Sequence, residues 1–88
     1  MAYPKVDLKG FEREVWNIRA ILYRSLTAFV LYSPEKGFIF RKELTDDLEM
    51  LIFEQKIIFI GCYKKPLKSA DLVEDLEFVL SIDQEKAA

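Results

Sequence analysis

Four short apolar runs, Thr27-Ala-Phe-Val-Leu-Tyr32, Phe38-Ile-Phe40, 48–53 and Ile57-Ile-Phe-Ile60, crowd the middle of the chain with only brief polar breaks between them. Runs this short suit strands, and apolar side chains at consecutive positions ask for burial on both faces of a sheet. A chain of 88 residues has one core and few helices with which to supply that cover. The pattern predicts a single small α/β domain over 1–88 that leaves apolar surface for something else to bury. Seven Phe, four Tyr and one Trp sharpen the demand. Phe29, Leu31, Phe38, Phe40, Met50, Ile52 and Phe53 all read as strand residues, and only two helices are in prospect. A homo-oligomer is the simplest remedy, through paired sheet faces or paired first helices.

The flanks of the apolar region read as helices. Leu8, Phe11, Val15, Ile18 and Leu22 recur at spacings of three and four, with Asp7 placed to cap. Trp16 and Ile21 fall outside that stripe, which predicts a first helix covered on two sides. At the other end Ser69 is a good N-cap, the acids Asp71, Glu74 and Asp75 suit the start of a helix, and Leu72, Val73, Leu76, Val79 and Leu80 form its apolar stripe. The tail 83–88 is expected to fray into solvent.

Between the helices, 27–41 reads as a β-hairpin turned by Pro34 and closed by Gly37. The rival reading extends the first helix to Tyr32 and stops it at Pro34. Residues 45–63 admit two readings. Thr45 followed by Asp46, Asp47 and Glu49 resembles a capped helix start. Strands over 48–53 and 57–63, turned at Glu54-Gln55-Lys56, give a second hairpin and leave no lone strand to place, although that turn lacks Gly or Asn. The hairpin is the favoured reading. It predicts helix–hairpin–hairpin–helix with a mixed sheet of three to four strands, the alternative being an all-α bundle.

Composition narrows the function classes. Net charge is −2 and the pI about 5.1, which excludes a generally basic nucleic-acid coat. The charge is nonetheless uneven: 1–45 hold eight Lys/Arg against five Asp/Glu, and 46–88 hold five against ten. The chain has no histidine, so the commonest general base and metal ligand are missing. Its single cysteine, Cys62, cannot form an internal disulfide; it reads as a buried, inert thiol and suits a reducing, cytoplasmic setting. Charges interrupt every apolar run before membrane-spanning length, and the start of the chain lacks the apolar core of a signal peptide.

Three segments carry a family resemblance. Phe11-Glu-Arg-Glu-Val15 looks like the Glu-Arg-Glu start of the first helix in archaeal Holliday-junction resolvases. The span from Asp47 to Lys65 looks like the central hairpin of the PD-(D/E)XK nuclease superfamily, and Lys68-Ser-Ala-Asp-Leu-Val73 is similar to the helix that follows. The resemblance implies a small restriction-endonuclease-like core. It places Glu49 at the metal-binding carboxylate, Gly61 at the second acid and Tyr63 at the lysine, with Asp47 opening the hairpin. Such nucleases use two carboxylates to hold Mg²⁺ and a lysine to activate water. Neither Gly61 nor Tyr63 can do that work. The resemblance thus implies a degenerate relative without catalysis, acting by self-association and by binding DNA or another protein.

The remaining candidates are weaker patterns. Asp46, Asp47 and Glu49 form the one carboxylate cluster for a metal, with Glu12 and Glu14 as supplements, and Mg²⁺ is implied only if an altered nuclease site survives. Arg41, Lys64, Lys65 and Lys68, with Lys42, suggest a phosphate-binding patch on which Tyr63 offers a stacking surface. A helical interaction module unrelated to nucleases is the reading that follows if 45–63 is helical.

Overall fold

The computed structural model describes residues 8–87. In chain order the elements are α1 (Glu12–Arg24), β1 (Thr27–Ser33), β2 (Gly37–Arg41), α2 (Asp46–Phe53), β3 (Ile58–Lys64) and α3 (Ser69–Ala87). The strands form one antiparallel three-stranded sheet in the order β2-β1-β3. The α/β class is as expected; the sheet is antiparallel rather than mixed.

Helix α1 follows a tight turn in which the Leu8 carbonyl accepts from Phe11 N at 2.8 Å, with positive φ at Lys9 and Gly10. The helix starts at Glu12 with Phe11 in the capping position, and the anticipated cap Asp7 lies outside the described residues. Val15, Ile18 and Leu22 are buried as the periodicity requires. They meet Ala28 and Val30 of β1 and Leu72, Val73 and Leu76 of α3 in one core, which Phe38, Phe40, Ile60 and Tyr63 border. Both long helices therefore cover the same face of the sheet. Double cover of α1 is not found among the described residues: Trp16 is 68% exposed, because none of their elements lies over that side.

The first hairpin is as read. Ser33 pairs with Gly37, whose φ of +88° closes the turn, and Ser33 Oγ accepts from Lys36 N at 3.2 Å. The second hairpin is not. Residues 46–53 form a helix, capped by Thr45 Oγ1 accepting from Leu48 N at 3.3 Å, with three acids in its first turn. Its far end closes without glycine. Gln55 takes φ +62°, Lys56 N donates to the Leu51 carbonyl and Gln55 N to the Ile52 carbonyl, the Schellman arrangement. Met50, Ile52 and Phe53 are thus helical and not strand residues, and β3 reaches β1 after a crossover that runs the length of the sheet through α2, from the end of β2 beside Phe29 to the start of β3 beside Tyr32, instead of pairing with 48–53.

Helix α3 begins at Ser69 itself, which does not cap it; the buried Ser69 hydroxyl accepts from Arg19 Nη2 at 2.8 Å, tying α3 to α1. The stripe Leu72, Val73, Leu76 and Val79 is buried. The helix continues to Ala87, so the backbone of 83–87 is helical rather than frayed; Ala88 lies outside the described residues. Tyr32 O–H reaches across to Asp83 Oδ2 at 2.9 Å.

Candidate functional site

Strand alternation divides the sheet. Ala28, Val30 and Tyr32 of β1, with their cross-strand partners Phe38 and Phe40, face α1 and α3. Phe29 and Leu31 point the other way, beside Ile39 on β2 and Phe59 and Cys62 on β3. Among the described residues no long helix lies over this second face. Only α2 approaches, its Leu51 sharing a cleft with Ile39 and Ile57, and α2 buries none of its own residues. Leu31 is fully buried between its neighbours, but Phe59 is 41% exposed against Phe29 at a ring separation of 6.3 Å, and Met50 and Phe53 of α2 stand 60% and 88% exposed. The result is a broad apolar face on a molecule only 16 Å through its thinnest dimension.

A bulge in β3 shapes the sheet. Val30 pairs with Gly61 but Leu31 with Phe59, so Ile60 is the extra residue. Gly61 sits on the helix-covered face, and the Tyr63 ring folds back over it: a Cβ at Gly61 would lie 3.3 Å from that ring. Tyr63 O–H then donates to Asp75 Oδ2 on α3 at 2.6 Å.

These positions decide what the sequence candidates can do. Asp46, Asp47 and Glu49 are exposed in the first turn of α2, where they face free backbone N–H groups. Gly61 has no donor, and the Tyr63 hydroxyl is taken by Asp75. The residues present do not fit a two-carboxylate Mg²⁺ site, and among the described residues no group of three or more His, Cys, Asp or Glu could hold a metal ion. Glu12 and Glu14 lie in the first turn of α1, on the other side of the sheet from α2; Glu14 Oε2 is shielded from solvent without a hydrogen-bond partner among the described residues. Cys62 is exposed, not buried, because it falls on the open face. Tyr63 is no free stacking platform, since its ring is committed to Gly61 and α3.

The basic candidates are partly gathered. Lys64 pairs with Thr27, whose Oγ1 donates to the Lys42 carbonyl at 3.4 Å, so Lys42 and Lys64 flank the start of β1, with Arg41 ending β2. Lys65 lines a separate cleft beside Arg19 and Tyr23, and Lys68 is exposed just before α3. Sequence reasoning missed Tyr23, Arg24 and Leu26 as surface features, and read Trp16 as buried.

Tyr63 also carries a testable electrostatic signature. Burial, and then its hydrogen bond to the Asp75 carboxylate, push its proton affinity well above the ordinary value of 10.0. Tyr32 is raised as well, chiefly by its bond to Asp83. The unfolded chain then releases these protons at lower pH than the fold does. Stabilisation is complete below pH ~10 and declines as pH rises beyond it. Urea unfolding followed from pH 8 to 11 is expected to show stability falling above pH ~10, with a shallower fall in Tyr63→Phe. An equal slope in the variant would remove Tyr63 from this role.

No protein-family model matches the chain, and neither the curated proteins nor the solved structures give a significant match. No helix among the described residues is long and apolar enough to cross a membrane.

Proposed function

We propose that this chain is a self-associating domain whose working unit is a symmetric dimer, joined through the open sheet face and α2. The observation that carries the reading is the apolar sheet face made by Phe29, Leu31, Ile39 and Phe59 on the side away from α1 and α3, together with the exposed Met50 and Phe53 of α2, the helix that approaches that face through Leu51. A second copy is the occupant its chemistry favours. The middle of the face is apolar and its charges, Arg41, Lys64, Lys36 and Lys56, stand at the strand ends, so it complements itself about a twofold axis without a matching partner of opposite sign at its centre. A net charge of −2 on each copy opposes the approach only weakly. The broad side of the molecule measures 48 × 33 Å, ample for the ~800 Å² per partner that a standard interface buries. Face-to-face pairing brings the two open sheet faces and the two α2 helices inside, with α1 and α3 of each copy outside. The reading stands without the nuclease resemblance.

Cys62 is a built-in reporter, being the only cysteine and lying on this face beside Phe29. Its alkylation by iodoacetamide is expected to slow as protein concentration rises, in step with growth of the dimer in sedimentation velocity. A monomer at all concentrations, with a constant alkylation rate, would show that the face serves a different partner.

A further inference from the structure

We propose that the flank formed by the outer side of α1 and the loops leaving β2 and β3 binds single-stranded nucleic acid, bases stacking on Trp16 and Tyr23 and phosphates held by the surrounding arginines and lysines. Two adjoining clefts carry the argument. The larger, about 730 Å³, lies between Trp16 and Tyr23 and is edged by Arg24, Arg41 and Lys42. The smaller, about 250 Å³, lies on the other side of Tyr23 and is edged by Arg19 and Lys65. Five cations and no carboxylate line the pair of clefts, in a chain whose net charge is −2. None of the five forms an ion pair among the described residues. Arg19 and Arg41 are each steadied by one bond from a guanidinium nitrogen, to Ser69 Oγ and the Phe40 carbonyl, which leaves their other N–H groups available.

The aromatic pair supplies what a phosphate site alone lacks. Trp16 and Tyr23 are 68% and 83% exposed and seven residues apart on one helix. That spacing is two turns, so both rings project from the same side about 10 Å apart along the axis. Ala20 lies between them and, being small, leaves the cleft open. Bare ring faces next to unpaired cations suit unstacked bases on a phosphate backbone. A duplex hides its base faces and gains nothing from the rings. Trp16, Tyr23, Arg19 and Arg24 are on α1, on the helical side of the sheet, so the stacking part of this site does not depend on the dimer face, which the clefts meet only at Arg41.

Trp16 is the sole tryptophan, so its fluorescence reads the site directly. The titrants are oligothymidylate, oligouridylate, a DNA duplex of equal length and phosphatidylglycerol vesicles. Quenching by one or both single strands is expected, the two arms separating DNA from RNA, with the duplex at least about tenfold weaker. Affinity should fall with salt at a log–log slope of about −3, as expected when up to five phosphates are neutralised. Tyr23→Ala should weaken binding about tenfold, and because that side chain is exposed the variant remains folded. Absence of quenching by either single strand, equal affinity for the duplex, or a response to the vesicles alone would overturn the proposal.

Discussion

Leu76→Ala is expected to lower the thermal midpoint of the domain by about 10–30 °C. Leu76 has no exposed surface and stands at the centre of the cluster where α3 meets Val15, Ile18 and Leu22 of α1 and Ala28 and Val30 of β1. Truncating a fully buried leucine removes its transfer free energy and leaves a cavity, about 2–5 kcal/mol together. A domain of this length has only about 4–13 kcal/mol in hand, and the single core layer offers no second cluster to hold α3 if the first loosens. The matching control is Phe53→Ala. Phe53 is 88% exposed, and its truncation is expected to stay within about 0.5 kcal/mol for the isolated chain. Circular dichroism melts at one fixed, low concentration keep association from contributing to either number. A fall of only a few degrees for Leu76→Ala would mean that α3 is not anchored as described.

What was legible in the sequence depended on how local the deciding physics is. The stripes of α1 and α3 repeat over several turns and are buried as read; the first hairpin announces itself through Pro34 and Gly37, each suited to its turn position. Residues 46–53 were decided by less visible terms. Their apolar content fits a strand equally well, and the helix gains its place from the Thr45 cap and from Gln55 adopting a left-handed conformation that glutamine seldom favours. The surface features needed tertiary context. Trp16 and Cys62 look like interior residues, and only the placement of α1 and α3 on one side of the sheet shows that neither is covered. The carboxylate and Gly61/Tyr63 positions could be aligned on paper, but the alignment assumed a strand at 48–53. With that segment helical, Asp47 and Glu49 stand on α2, and Tyr63 occupies the space above Gly61. The basic patch was visible at Arg41, Lys64 and Lys65, whereas Arg19 and Arg24 lie far from them in sequence and join only when β2 and β3 return to the C-terminal end of α1.

Phe59→Asp is expected to weaken self-association by about a hundredfold or more. In a twofold pairing of open faces each substitution enters the interface twice, so two carboxylates are brought into an apolar contact whose cations, Arg41 and Lys64 at one end and Lys36 and Lys56 at the other, stand at the ends of the strands. Desolvating an unpaired charge costs several kcal/mol, enough to account for that loss. Phe59 also supports Phe29, so some of the effect could arise within one copy. Phe53→Asp separates the two contributions: at 88% exposure the side chain holds nothing in place within its own chain, and an aspartate there touches only whatever lies opposite. Phe78→Asp provides the counterpart on the other side of the molecule, since Phe78 is 65% exposed on α3. Sedimentation equilibrium on the three variants then locates the interface. Dissociation by Phe59→Asp and Phe53→Asp, with Phe78→Asp unchanged, assigns it to the open sheet face. Dissociation by Phe78→Asp alone places it on the helical side, and the apolar sheet face then awaits a partner other than this chain.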